Sequence, residues 1–170
     1  MDIKITPHTL KGNLTVIPSK SQAHRLLICA AFADTATTLI CPSTNQDIEA
    51  TAECLRALGA AVMRTDNGYI VTPIQQTPKA ATLYCHESGS TLRFMLPIAG
   101  ALGVETTFVL EGRLPQRPLS PLWEEMERMG CRLSRPTTNT IRCQGQLTAG
   151  KFSISGGISS QFITGLLFAA

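Results

Sequence analysis

"LRALGAAV", Leu55 to Val62, is answered 71 residues later by "MERMGCRL", Met126 to Leu133. Each stretch reads as the end of an amphipathic helix, a glycine, and the start of a strand. A glycine there takes a positive φ without a Cβ penalty, which makes Gly59 and Gly130 candidate helix C-caps. The echo extends outward in both directions. "TTLI" (Thr37 to Ile40) precedes "TTFV" (Thr106 to Val109) by 69 residues, and "GYIV" (Gly68 to Val71) precedes "NTIR" (Asn139 to Arg142) by 71. A nearly constant shift marks an internal repeat.

Each copy predicts the same elements. An apolar helix comes first (Ser21 to Ala33; Ser90 to Leu102), then a β-branched strand (Thr37 to Cys41; Thr106 to Leu110). An amphipathic helix follows (Gln46 to Leu58; Leu119 to Met129), and a hairpin closes the unit, with Asp66-Asn67-Gly68 as the turn of the first copy. A strand before each first helix (Leu14 to Ile17; Thr82 to Cys85) makes the unit βαβαββ. "GGISSQFITGLLFAA" (Gly156 to Ala170) then aligns with "IPSKSQAHRLLICAA", so a strand at Lys151 to Ser155 and a helix open a third copy. The expected division is residues 1–18 as a leading strand segment, 19–80 and 81–148 as complete units, and 149–170 as the start of a third unit cut short. The fold class is α/β (α+β), and Ala170 is not expected to be a natural end.

Composition narrows the function. Apolar residues make up 44% of the 170, which suits a buried core, and charged residues only 16%. A net charge of +3 without a Lys/Arg-rich block excludes a nucleic-acid footprint. No apolar run approaches the roughly 20 residues of a membrane span. The six cysteines include no CxxC pair and stand apart from the three histidines, so no metal site is expected. Free thiols without a signal peptide point to the cytoplasm.

The repeated first helices share one chemical feature. Their mouths carry Ser19-Lys20-Ser21, Ser88-Gly89-Ser90-Thr91 and Ser159-Ser160-Gln161. Taken singly, each is a cap whose hydroxyls bond first-turn amides. Set side by side by a repeat, three such mouths would gather free amides and positive dipole ends into an anion site. Lys20 stands at the first mouth and Arg25 one turn along the same face. Gly89 admits close approach to the backbone, and the proline-stiffened "GRLPQRP" carries Arg113 and Arg117, whose forks suit phosphate or carboxylate.

"PSKSQAHR", "ESGSTLRF", "GRLPQRP" and "GGISSQFITGLL" resemble, in order, four motifs of the 5-enolpyruvylshikimate-3-phosphate synthase family. The resemblance runs through the chain but covers under half of a typical member. It implies two lobes of three βαβαββ units each, with the strand before Lys20 belonging to the other lobe. It implies transfer of the enolpyruvyl group of phosphoenolpyruvate to the 5-hydroxyl of shikimate 3-phosphate, with release of phosphate and with no cofactor or metal. By the same resemblance Lys20 would be catalytic and touch both substrates. Ser21, Arg25, Ser90, Ser159, Ser160 and Gln161 would hold shikimate 3-phosphate, and Gly89, Arg117 and Gln161 phosphoenolpyruvate. Glu87 departs from the asparagine of many members and is left out, and His24 is read as structural. The missing C-terminal lobe would supply further acid–base groups, so the chain alone is expected to be inactive. Two alternatives stand beside this reading. One is the related transferase acting on UDP-N-acetylglucosamine, disfavoured because Ser21 replaces its asparagine and the arginine loop has no cysteine. The other is a non-catalytic anion-binding fragment.

Overall fold

The structure, a computed structural model, describes residues 3–4, 6–7, 9, 11–14 and 16–170. In chain order it contains helix α1 (Lys20–Ala31), strand β1 (Thr37–Ile40), helix α2 (Gln46–Ala57) and strands β2 (Ala61–Thr65), β3 (Gly68–Thr72) and β4 (Ala80–His86). Helix α3 (Gly89–Leu102), strand β5 (Glu105–Leu110) and a 3-10 turn at Leu114–Gln116 follow. Helix α4 (Leu122–Arg128), strands β6 (Cys131–Thr137) and β7 (Thr140–Gly145) and helix α5 (Ser160–Ala169) complete the order.

The two sheets repeat each other. The second runs β4-β5-β7-β6 and the first β1-β3-β2, so β1, β3 and β2 occupy the places of β5, β7 and β6. The helix-ending glycines coincide as well. Gly59 has φ +108° and Gly130 φ +106°, and a Cβ on either would lie 2.6 or 2.7 Å from a carbonyl oxygen, of Gln76 and Gln146 respectively. Neither position tolerates a side chain. Gly68, at φ +153° in the first hairpin, is pressed against the Leu39 carbonyl in the same way.

One detail of the repeat differs from the sequence alignment. Ile40 pairs with Gly68, and Val109 with Thr140. The true counterpart of Gly68 is therefore Thr140, one residue beyond Asn139. The extra residue sits in β6, where the register with β7 shifts between Ser134 and Thr137. That bulge contains Pro136, which has no N–H for a ladder, and β6 is an edge strand, where such an interruption is tolerated.

Three other expectations need correction. Leu14, Val16 and Ile17 are exposed and in no strand, and Thr15 lies outside the described residues, as do residues 1, 2, 5, 8 and 10 of the leading segment. The first unit is thus αβαββ among the described residues, without the counterpart of β4. Lys151–Ser155 is also not a strand, and among the described residues no strand pairs with it. Instead the Ser153 amide donates to the Glu125 carboxylate, and Arg128 donates to the Lys151 carbonyl at 2.6 Å. The fourth helix begins at Leu122, because the prolines before it, Pro118 and Pro121, break the helical ladder.

Helix α3 is central. Ten of its fourteen residues are buried, and it packs on α5, α2 and sheet two. Leu92, Phe94, Met95 and Leu96 are at most 1% exposed, and each contributes roughly 1.5–3 kcal/mol by leaving water. Pro97 lies inside this helix and cannot donate to the Arg93 carbonyl one turn back. Gly165 of α5 seats against that carbonyl so closely that a Cβ would come within 2.2 Å of its oxygen. This notch, with a bare Cα against that oxygen, lets α3 and α5 approach closely.

Candidate active site

Each first-helix mouth is capped by a serine. Ser19 accepts from the Gln22 amide at 3.4 Å, Ser88 from the Thr91 amide at 3.3 Å, and Ser159 from the Gln161 amide at 3.3 Å. Capping is therefore real at all three, and it leaves the side chains beyond the caps to face one another.

At the α1 mouth, Lys20 Nζ lies 2.7 Å from Asp47 Oδ2, on the first turn of α2. Burial alone would raise the Asp47 pKa, but hydrogen bonds from Lys20 and Ser88 hold it below the ordinary carboxylate value. Arg25 donates to the hydroxyl of Ser21 and, at 2.8 Å, to its carbonyl. The same guanidinium lies 5.3 Å from the Phe94 ring centroid and reaches Thr164 of α5 at 3.5 Å. Arg25 thus spans from the first helix to the third copy.

The α3 and α5 mouths are joined more tightly. Gln161 donates to Ser90 Oγ at 2.8 Å and accepts from Arg93 Nη1 at 2.8 Å. The guanidiniums of Arg93 and Arg117 both border Gly89: a Cβ there would stand 3.1 and 3.0 Å from them. Burial, and then the nearby Arg117, press the Arg93 pKa below its ordinary value. The ion pairs among the described residues join Lys20 with Asp47, His86 with Glu53 and Glu111, and Arg128 with Glu125, so none neutralises Arg93 or Arg117. A buried glycine amide beside two unneutralised guanidiniums at a helix N-terminus is a strong seat for an anion.

The structure thus links Ser21 with Arg25, and Gly89, Ser90, Gln161 and Arg117 with one another through Arg93. Lys20 turns to Asp47, and exposed Ser160 accepts at its carbonyl from Thr164 at 3.0 Å. Glu87 accepts from the Arg113 amide at 3.0 Å, so its carboxylate braces the arginine loop. Sequence reasoning missed Asp47, Arg93 and Thr164. Arg93 was within the "ESGSTLRF" motif, and Asp47 carried only the ordinary signal of an acidic residue in a first helical turn.

Known proteins resemble this chain along nearly all of it. The sequence model of the family described as EPSP synthase (3-phosphoshikimate 1-carboxyvinyltransferase) matches residues 5–170. Proteins named 3-phosphoshikimate 1-carboxyvinyltransferase from Clostridium kluyveri and Clostridium beijerinckii are 36% and 38% identical over 98% of the chain. The chain spans only 40% of the length of each. The EPSP synthase of Acinetobacter baumannii superposes with a TM-score of 0.75 at 20% identity, over 93% of this chain and 37% of its own, a likeness of fold. The enolpyruvyl transferase NikO of Streptomyces tendae shares that fold less closely, with a TM-score of 0.59 at 16% identity, over 92% of this chain and 37% of its own.

Proposed function

The chain belongs to the EPSP synthase family, and from that premise we propose that its helix mouths form one wall of a site that transfers the enolpyruvyl group of phosphoenolpyruvate to the 5-hydroxyl of shikimate 3-phosphate, releasing phosphate. The observation that carries the reading is the pair of unneutralised guanidiniums, Arg93 and Arg117, at the Gly89 amide. Both substrates are polyanions, and preorganised donors aimed at developing charge are a large source of rate enhancement. Arg117 and Gly89 take the carboxylate or phosphate of phosphoenolpyruvate. Ser90 and Gln161, already hydrogen-bonded to each other, are placed to exchange that bond for the hydroxyls of shikimate 3-phosphate. Ser21, Arg25, Ser159 and Ser160 take its phosphate.

Lys20 is the proton-handling group. Its ammonium can leave Asp47 for the tetrahedral adduct and return. Lys20, Ser21, Ser160 and Arg117 are exposed, so this wall faces open water. By itself the chain is expected to bind its substrates weakly and to show no turnover, with the remaining acid–base groups supplied from the greater length its relatives have. The reaction is expected in the cytoplasm; no helix among the described residues is long and apolar enough to cross a membrane.

The test is a phosphate-release assay with both substrates, on the chain alone and mixed with the remaining portion of a relative. Release by the mixture that needs both substrates supports the reading. Equal release with UDP-N-acetylglucosamine in place of shikimate 3-phosphate would overturn the choice of acceptor. Amide shifts on adding phosphoenolpyruvate that avoid Gly89 and Arg117 would overturn the assignment of the wall.

A further inference from the structure

A buried polar chain runs beneath the α1 mouth and joins three helices. His24 of α1 is 0% exposed, as are Thr51 of α2 and Thr91 of α3, and Ser88 is 2% exposed. His24 Nδ1 lies 2.7 Å from Thr51 Oγ1, and Thr51 Oγ1 lies 2.7 Å from Thr91 Oγ1. The Thr91 hydroxyl is 2.8 Å from Ser88 Oγ and 3.3 Å from the Asp47 carbonyl. Ser88 lies on the Asp47 side and helps to hold its pKa down, and the Asp47 carboxylate takes the Lys20 ammonium at 2.7 Å.

The two ends of this chain decide which way its protons point. The Thr91 hydroxyl donates to Ser88 Oγ, with the Asp47 carbonyl, which can only accept, sharing the same proton. A hydroxyl has one proton, so Thr91 must then accept from Thr51, and Thr51 must accept from the ring. The ring therefore carries its proton on Nδ1. His24 Nε2 has no partner, and in this arrangement it is a bare acceptor. The reverse order would bury an unpaired N–H at Nε2 and leave the Asp47 carbonyl without the Thr91 proton, which is the costlier choice. Burial also pushes the His24 pKa down to about 4, with Lys20 and Arg25 nearby lowering it further against Asp47, so the ring is neutral near pH 7.

We propose that His24, in its neutral Nδ1–H form, is the donor end of a one-way hydrogen-bond chain through Thr51 and Thr91 that ends on Ser88 and the Asp47 main-chain carbonyl and so holds Asp47 in place for Lys20. His24 is a positioning residue, since it touches neither Lys20 nor the open site. Only the consequence for turnover rests on the role given to Lys20 above; the chain and its direction stand on the buried geometry.

Long-range nitrogen–proton spectra of the labelled chain at pH 7 read the ring directly. The expected result is a protonated Nδ1 and a bare Nε2; a ring protonated at Nε2, or at both nitrogens, overturns the proposal. Carbon-detected titration of Asp47 reads the far end. Thr51→Val removes the link and should shift the Asp47 midpoint upward, whereas Thr51→Ser, which keeps the hydroxyl, should restore it. His24→Asn, whose amide nitrogen falls near Nδ1, should hold the midpoint better than His24→Leu. A folded Thr51→Val protein with unchanged Asp47 titration overturns the proposal, and should that variant fail to fold, the ring spectrum of the unaltered chain decides. No substrate enters these measurements, so they separate a failure of the relay from a failure of the functional reading.

Discussion

The α1 mouth and the paired α3–α5 mouths are built from the same repeated pattern, yet they are charged in opposite styles. Lys20 meets a carboxylate at 2.7 Å. Arg93 and Arg117 crowd Gly89 without one. A neutralised, exposed ammonium exerts little standing pull on an anion. Two guanidiniums held together repel each other, and an incoming anion relieves that repulsion. On the reading proposed above, one repeat furnishes the proton-handling corner and the other the anchoring corner. The division comes from side chains outside the caps, since all three caps are serines.

Loss of Lys20 should give the largest effect. In a turnover assay of active protein carrying this chain, Lys20→Ala should lower kcat about a hundred- to a thousandfold, the usual cost of one preorganised donor. Lys20→Arg should restore only part, because a planar fork is not a point charge. An alanine variant within about threefold of the unaltered protein would break the comparison at its first term.

Next is pH. His24 remains uncharged in the fold to about pH 4, while the unfolded ring takes its proton near the ordinary 6.5. The unfolded state therefore binds more protons in that window, and stability drops by about 1.4 kcal/mol for each unit by which the pH is lowered between those values. His86 has the opposite sign. Its hydrogen bonds to the Glu53 and Glu111 carboxylates raise its pKa, so its contribution is full at low pH and fades as pH rises through the folded value. Urea unfolding across this range should show His24→Asn losing the acid-side slope, and His86→Asn leaving it in place.

The notch between α3 and α5 comes third. Gly165→Ala should cost about 1–3 kcal/mol by overpacking, and it should weaken the Gln161–Ser90 bond by lifting α5. Chemical denaturation and the Gln161 side-chain amide signals measure the two effects. Smallest is Arg117→Ala, read as inorganic phosphate binding at low salt. The side chain is exposed, and its loss should cost less than about 1 kcal/mol, fading at high ionic strength. An equal loss from Lys20→Ala would mean that the α1 mouth holds the anion as firmly as the α3 mouth.

How much of this could be read from the chain itself varied with the kind of signal. The repeat was legible because glycines at positive φ and β-branched strands recur whatever the packing, as Gly59 and Gly130 show. The bulge in β6 was not, because aligning short apolar stretches absorbs a one-residue slip, and only the pairing of Val109 with Thr140 reveals it. The cap serines and Arg117 were visible as motif residues. Asp47 was not, since an acidic first-turn residue is what any helix favours. His24 looked structural, and its partners Thr51 and Thr91 lie 27 and 67 positions away, so their contact exists only once three helices have packed.

The notch also bears on how this sequence can change over generations. At Gly165 a Cβ meets two obstacles, the Arg93 oxygen at 2.2 Å and the Pro97 ring at 3.1 Å. Replacing Pro97 by alanine removes the ring and gives the Arg93 carbonyl a donor within its own helix, which draws that oxygen toward the α3 axis. A small side chain at position 165 then has more room than before. The two sites are therefore epistatic, and the order of substitution matters: Pro97→Ala followed by Gly165→Ala is the passable route, and the reverse begins with the costlier step. A double-mutant cycle should return a favourable coupling between them, a historical constraint carried by two residues with no reactive chemistry of their own.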